Sequence, residues 1–191
     1  LLESIQNAEA GLNVIPIELI SGGASILRVV ATAENDAVTS NLTSSGVQGV
    51  CPAGWHLPSA AEWTILATYL ADNGFNYDGS IGGAGDKISK ALATANGWHE
   101  SSNTGTIGNS DFPGYQNKSG FTATPDGYRY DGVNGEGFSM QEFVAIWWSS
   151  TEHDNQNAYD LSLSWDYSTA LKHSINGIPK SFGFCVRCLK N

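Results

Sequence analysis

The stretch from Cys51 to Trp63, CPAGWHLPSAAEW, constrains the fold of this chain more than any other. It places a cysteine, a Pro-Ala-Gly turn, a Trp-His-Leu strand end, a proline and a helix start in immediate succession. Ser59, with Glu62 three residues on, forms a capping box in which each side chain takes a backbone N–H that the first helical turn leaves unpaired. A helix from about Ala60 is therefore predicted. Pro58 cannot continue a strand ladder, so strand, turn and helix follow one another without slack. A bond from Cys51 to a distant segment would pin all three, and the C-terminal GFCVRCLKN carries the other two cysteines, Cys185 and Cys188.

The capped helix reads AAEWTILATYLAD, with Trp63, Leu66, Ala67 and Leu70 on one face at helical spacing and Asn73-Gly74 as its stop. That stripe is core. A Gly-rich run from Gly79 to Gly85 leads to a second predicted helix, about Asp86 to Ala95, closed by Asn96-Gly97. The run lacks the Lys-Ser/Thr of a phosphate-binding loop and has no apolar strand before it. From Trp98 to about Met140 the composition turns to Gly, Asn, Ser, Asp and Tyr, and a long irregular loop of this kind inside a domain is a place to look for function. Strand pieces GFTATP and DGYRYDG punctuate it. Four strands are predicted after it: FVAIWWSSTE, NAYDLSLSW, TALKHSI and SFGFCVRCLK. Tyr159, Leu161, Leu163 and Trp165 alternate as in a half-buried antiparallel strand.

Residues 1 to 46 read differently, as an N-terminal extension with short strands in LNVIPIELI and ASILRVVATA, either preceded by a short helix over Glu3 to Ala10 or not. Residues 47–191 then form the main domain. With 22 glycines and only 15% charged residues, the composition favours turns and irregular loops over a helical bundle. A formal net charge of −10 with 9 basic residues argues against nucleic acid and against an anionic membrane surface. No apolar run reaches the roughly 18 residues a membrane span needs. The opening at Leu1, with no charged-then-apolar leader, reads as a mature or trimmed chain.

The runs GVQGVCPAGWHLPSAAEW, SGFTATPDGYRYDG, WWSSTE and GFCVRCLKN resemble, in order and spacing, the signatures of the Fibrobacter succinogenes major paralogous domain family over roughly Ser45 to Asn191. The N-terminal part departs from that pattern. The resemblance implies an α+β fold of C-type lectin-like architecture: two helices on a small, twisted, mostly antiparallel sheet with a long irregular loop. It also implies a place on a bacterial cell surface or outside the cell, with a lipid anchor upstream of Leu1. Three free thiols are one reading of the cysteines. The resemblance implies another, a Cys51–Cys188 disulfide with Cys185 left over, because Cys188 falls on the family's GF-x-VRC cysteine. Cys185 and Cys188 lie an odd number apart on a strand and point to opposite faces, so they do not bond each other. Closing so long a loop would contribute on the order of 4 kcal/mol and requires an oxidising compartment.

Candidate chemistry is sparse. His56, His99, His153 and His173 form no zinc-type spacing, no Gly-x-Ser-x-Gly elbow is present, and a disulfide would leave no cysteine pair for the copper site of formylglycine-generating relatives. Glu136 with Glu142 and Glu152 with Asp154 are carboxylate pairs of the kind that can do acid–base work, although pairs like these arise by chance among 19 acidic residues. No catalytic residue is assigned. The turn Glu152-His153-Asp154-Asn155-Gln156-Asn157 clusters oxygen donors, which makes Glu152, Asp154 and Asn155 a calcium candidate, although the lectin Glu-Pro-Asn and Trp-Asn-Asp triplets are absent. Apart from calcium no cofactor is expected. Aromatic side chains in and after the long loop, Phe112, Tyr115, Tyr128, Tyr130 and Trp148, are candidates to stack on a glycan or anchor a surface protein, with Asp154 and Asn155 beside them. The function expected is non-catalytic recognition. The alternatives are a structural or adhesin subunit without a small ligand, and a divergent enzyme of the formylglycine-generating type.

Overall fold

The structure is a computed structural model and describes residues 49–82, 87–132, 135–170 and 176–191. The predicted strands of the first 46 residues, the 46/47 boundary and most of TALKHSI lie outside these residues. The described part is α+β. In chain order it runs β1 (Trp55–His56), α1 (Ala60–Asp72), α2 (Ser89–Leu92), a 3-10 turn (Pro113–Tyr115), β2 (Tyr128–Gly132), β3 (Gly135–Ser139), β4 (Val144–Glu152), β5 (Asn157–Ser164), β6 (Ile178–Pro179) and β7 (Leu189–Lys190). The sheets are small and antiparallel: β1 with β7, β2 with β3, and β4–β5–β6.

α1 starts where the capping box places it. Glu62 N donates to Ser59 Oγ at 3.2 Å and Ser59 N donates to Glu62 Oε2 at 2.8 Å. Thr151 Oγ1 of β4 takes the Ala60 N–H at 3.0 Å, so the helix start is also tied to the sheet. Trp63, Leu66, Ala67, Leu70 and Ala71 are buried, each large side chain contributing about 2 kcal/mol of burial. Asn73 caps the C-terminus and Gly74, at φ 79°, turns the chain away.

The Trp-Trp pair divides the core. Successive strand residues point to opposite faces, so Trp147 enters one cluster with α1, Phe121, Leu161 and Leu163, whereas Trp148 enters another with Leu57, Ala158, Phe184 and the Cys51–Cys188 pair. The β4–β5–β6 sheet is thus a wall covered on both sides, and β5 is not a strand with one solvent face: Leu161 and Leu163 pack on one side and Ala158 on the other.

Two predicted elements are shorter than expected. The second helix is one turn, because Ala93 swings to extended backbone and bridges Ala123 in parallel. SFGFCVRCLK is not one strand. Gly183 exchanges hydrogen bonds with Arg129 of β2, Cys185 pairs beside Trp147 of β4, and only Leu189–Lys190 joins β1. The Cys51–Cys188 bond, with Cα atoms 5.8 Å apart, holds that last pairing closed, and Cys185 is the free thiol.

Candidate functional site

The long loop is folded around α2. A four-residue helix leaves its last carbonyls without helical partners, and the loop supplies them. Asn117 N donates to Lys90 O at 3.1 Å, Ser119 N and Oγ to Ala91 O at 3.0 and 2.7 Å, Ala123 N to Leu92 O at 2.9 Å, and Gln116 Nε2 to Ala93 O at 2.9 Å. Within this wrap Lys90 is fully buried, its side chain 1% exposed. Its ammonium donates to Asn109 O at 2.5 Å and Asp111 O at 2.7 Å. Asp111 Oδ1 lies 3.0 Å away but off the hydrogen-bonding angle, so it contributes charge more than a directed bond. Asp111 Oδ2 takes the Gly105 N–H at 2.8 Å. Gly105 is required here: at φ 73° a Cβ would fall 2.1 Å from the Tyr77 ring that covers it.

This frame presents an aromatic surface. Phe112, in left-handed backbone at φ 48° and 39% exposed, lies tilted on Tyr77 at 5.0 Å between centroids. Pro113–Tyr115 turns directly after it, and Lys118 Nζ sits 4.4 Å over the Tyr115 ring and 5.3 Å over Phe75 while donating to Gly74 O at 2.9 Å. Lys87 is bonded to Asp78, which holds the Asp78 carboxyl well below the usual carboxylate range and raises the lysine. The cations on this face therefore have partners.

The residues proposed from sequence fall in separate neighbourhoods. Tyr115 is on the aromatic surface and half-buried. Tyr128, on β2, is partly buried and packs against Phe182 and Phe184 at 5.8 and 6.0 Å, on the edge of the second core cluster. Trp148 is 0% exposed and lies on Phe184 at 4.4 Å, so it offers no face to a ligand. Its neighbour on β4 had the same apparent right to the surface, but both sides of that sheet are covered.

The oxygens of the calcium candidate have partners within the chain. Glu152 Oε1 and Asn155 O take the Lys180 ammonium at 2.7 and 3.2 Å. Asp154 accepts from the backbone of Gln156 and Asn157 at 2.8 Å and from Asn157 Nδ2 at 2.9 Å; the Asn157 side chain leads in lowering its pKa. The oxygens close a turn around a lysine. Among the described residues no group of three or more metal-ligating side chains converges.

His56 is a core residue, bonded through Nε2 to Glu62 Oε1 at 2.9 Å and through Nδ1 to Asn191 Oδ1 at 2.5 Å. Burial pushes the Cys185 thiol up to about 12, so it is no nucleophile at neutral pH. Desolvation lowers Arg187 to about 10; its guanidinium lies 3.8 Å over Phe121 and donates to Phe121 O at 2.8 Å. A shallow apolar cleft lined by Pro58, Trp63, Leu66, Arg187 and Leu189 lies against α1. Sequence reasoning missed Lys90, Tyr77 and Lys118, whose roles arise from contacts between distant segments.

No helix among the described residues is long and apolar enough to cross a membrane. No curated protein and no solved structure matches the chain. The sequence model of the Fibrobacter succinogenes major domain matches residues 29–190, starting inside the segment that sequence reasoning set apart as an extension. By that match over most of its length, the chain belongs to the Fibrobacter succinogenes major domain family.

Proposed function

We propose that this domain is a non-catalytic recognition module, exported to a bacterial cell surface, that binds a glycan chain through the aromatic surface of its long loop. One observation carries the reading: Phe112, Tyr77 and Tyr115 are held part-exposed by a loop locked around Lys90, with Phe112 kept in a backbone conformation that costs a non-glycine residue on the order of 1 kcal/mol. Rigid aromatic rings give large contact area at low entropy cost, which suits the flat face of a sugar. A glycan fits better than a small molecule because the surface is a ridge of rings, and the apolar cleft lies elsewhere, against α1.

The architecture supports a C-type lectin-like reading. The first and last described strands pair, a disulfide staples them, and a long loop stands between the helices and the main sheet. The disulfide supports an oxidising compartment, hence export. The Glu152–Asp154 pair gives catalysis no support, since Lys180 and the turn's own amides hold it.

The test is a glycan array probed with the purified protein in calcium and again in chelator. Binding is expected in both buffers. Phe112→Ala and Tyr115→Ala should weaken it at least tenfold without lowering the melting temperature. Absence of binding in either buffer would favour a structural or protein-binding module instead.

A further inference from the structure

A second group of rings lies next along the same loop. His99, which is exposed, stacks on Phe143 at 4.5 Å with planes 29° apart and meets Trp165 edge-on at 4.8 Å; Phe143 and Trp165 are themselves perpendicular at 5.9 Å. Three segments converge to build it. His99 N donates to Glu142 O at 2.8 Å, Trp165 N to Phe143 O at 2.9 Å and Gly108 N to Trp165 O at 2.9 Å. Gly108 is packed so closely that a Cβ there would lie 2.1 Å from His99 O.

The turn that presents Phe143 is strained. Met140 and Glu142 both adopt left-handed backbone, at φ 60° and 71°, and Met140 is 41% exposed. Such conformations persist where the surroundings over-determine them, and they concentrate at binding sites. Neither the hydrophobic core nor the disulfide needs these rings here: none of the three belongs to the buried clusters.

The two aromatic groups are joined by one short piece of backbone. Tyr77 of the first covers Gly105, and the backbone of His99 of the second abuts Gly108. Three peptide units separate these glycines, a reach of at most about 11 Å. The cations nearby are engaged: Lys118 with Gly74 O, Lys87 with Asp78, and Lys90 inside the loop. Among the described residues the Lys87 and Lys90 ammoniums are paired with carboxylates and Lys118 is bonded to a carbonyl, and a chain with a formal charge of −10 would repel a polyanion.

We infer that His99, Phe143 and Trp165 form a second subsite of the recognition face, and that the ligand is a neutral polysaccharide long enough to lie across both ring groups. This rests on the glycan reading above and names its substrate class.

Affinity electrophoresis tests it, with hydroxyethyl cellulose, xylan, laminarin, galactomannan and starch as neutral polymers and polygalacturonate as the anionic one. At least one neutral polymer should retard the wild-type protein, and polygalacturonate should not. His99→Ala and Trp165→Ala should each weaken the retardation about tenfold, Trp165→Phe should retain it, and fragments of two sugar units should compete at least tenfold less well than fragments of six. His99 is exposed, so its variant stays informative if Trp165→Ala fails to fold. If Phe112→Ala abolishes retardation while His99→Ala binds like wild type, there is one subsite and this inference is wrong though the glycan reading stands. Retardation by polygalacturonate alone overturns the neutral class. No retardation by any of the six polymers overturns both.

Discussion

Replacing Lys90 by methionine tests whether the long loop is built on a buried cation. Methionine keeps most of the stem's volume and removes the ammonium, leaving Asn109 O, Asp111 O and the Asp111 carboxylate facing an apolar group. Removing one member of a buried ion pair costs about 3–5 kcal/mol, because the remaining charge stays desolvated. The Asp111 side chain is 26% exposed, so water reaches part of it and the cost belongs at the lower end, about 3 kcal/mol. With a urea slope near 2 kcal/mol/M the midpoint should fall by about 1.5 M at unchanged slope. Asp111→Asn leaves both carbonyl bonds in place and should cost only about 1 kcal/mol, and the double variant should cost less than the sum of the two. Amide exchange between residues 99 and 112 should quicken in Lys90→Met more than exchange in α1. A midpoint shift below about 0.3 M, or exchange quickened equally everywhere, would refute the idea that this ammonium organises the loop.

Three further outcomes are expected. Reducing the Cys51–Cys188 bond, which spans 137 residues, should lower stability by about 5 kcal/mol on the chain-entropy account, read as a drop in melting temperature under dithiothreitol. Cys185 should be alkylated at pH 8 on the order of a hundredfold more slowly in the native protein than in urea. Burial raises its pKa from 9.0 to about 12, so the native state holds the thiol proton more tightly and the corresponding stability is lost as pH rises from about 9 towards 12. Calcium or chelator should leave the melting temperature unchanged within about 1 °C, since bound metal would add stability by mass action and Lys180 already holds the donors of the Glu152 turn.

Local chemistry was readable and long-range chemistry was not. The Ser59–Glu62 box lies within four residues, and its helix starts and stops as its caps dictate. The alternation of Trp147 and Trp148 follows from the pleat, but which side of β4 meets solvent depends on Phe184 and the C-terminal segment, far away in sequence. Sequence alone therefore makes Trp148 a candidate ligand platform, and the structure places it in the core. The second helix looked like three turns from its composition. Its fate was decided by Ala123 and Ser119, which capture its carbonyls and bend Ala93 out of the helix. Nothing near Lys90 in sequence shows that Asn109 and Asp111 close over it.

Two polar features of the structure share one cause. A cluster of carboxylate and carbonyl oxygens reads as a place for a divalent cation, yet a lysine ammonium satisfies the same oxygens as an internal cation. Lys180 does so at the turn between β4 and β5, through Glu152 Oε1 and Asn155 O, and Lys90 does so inside the long loop, through Asn109 O, Asp111 O and the Asp111 carboxylate. Because each lysine is part of the chain, an internal cation stands at both places in the structure. A site that draws on these oxygens would have to break an ion pair first. Recognition through the rings around Phe112 and His99 draws on none of these oxygens, which is why the recognition proposed here is assigned to them and is expected to persist in chelator.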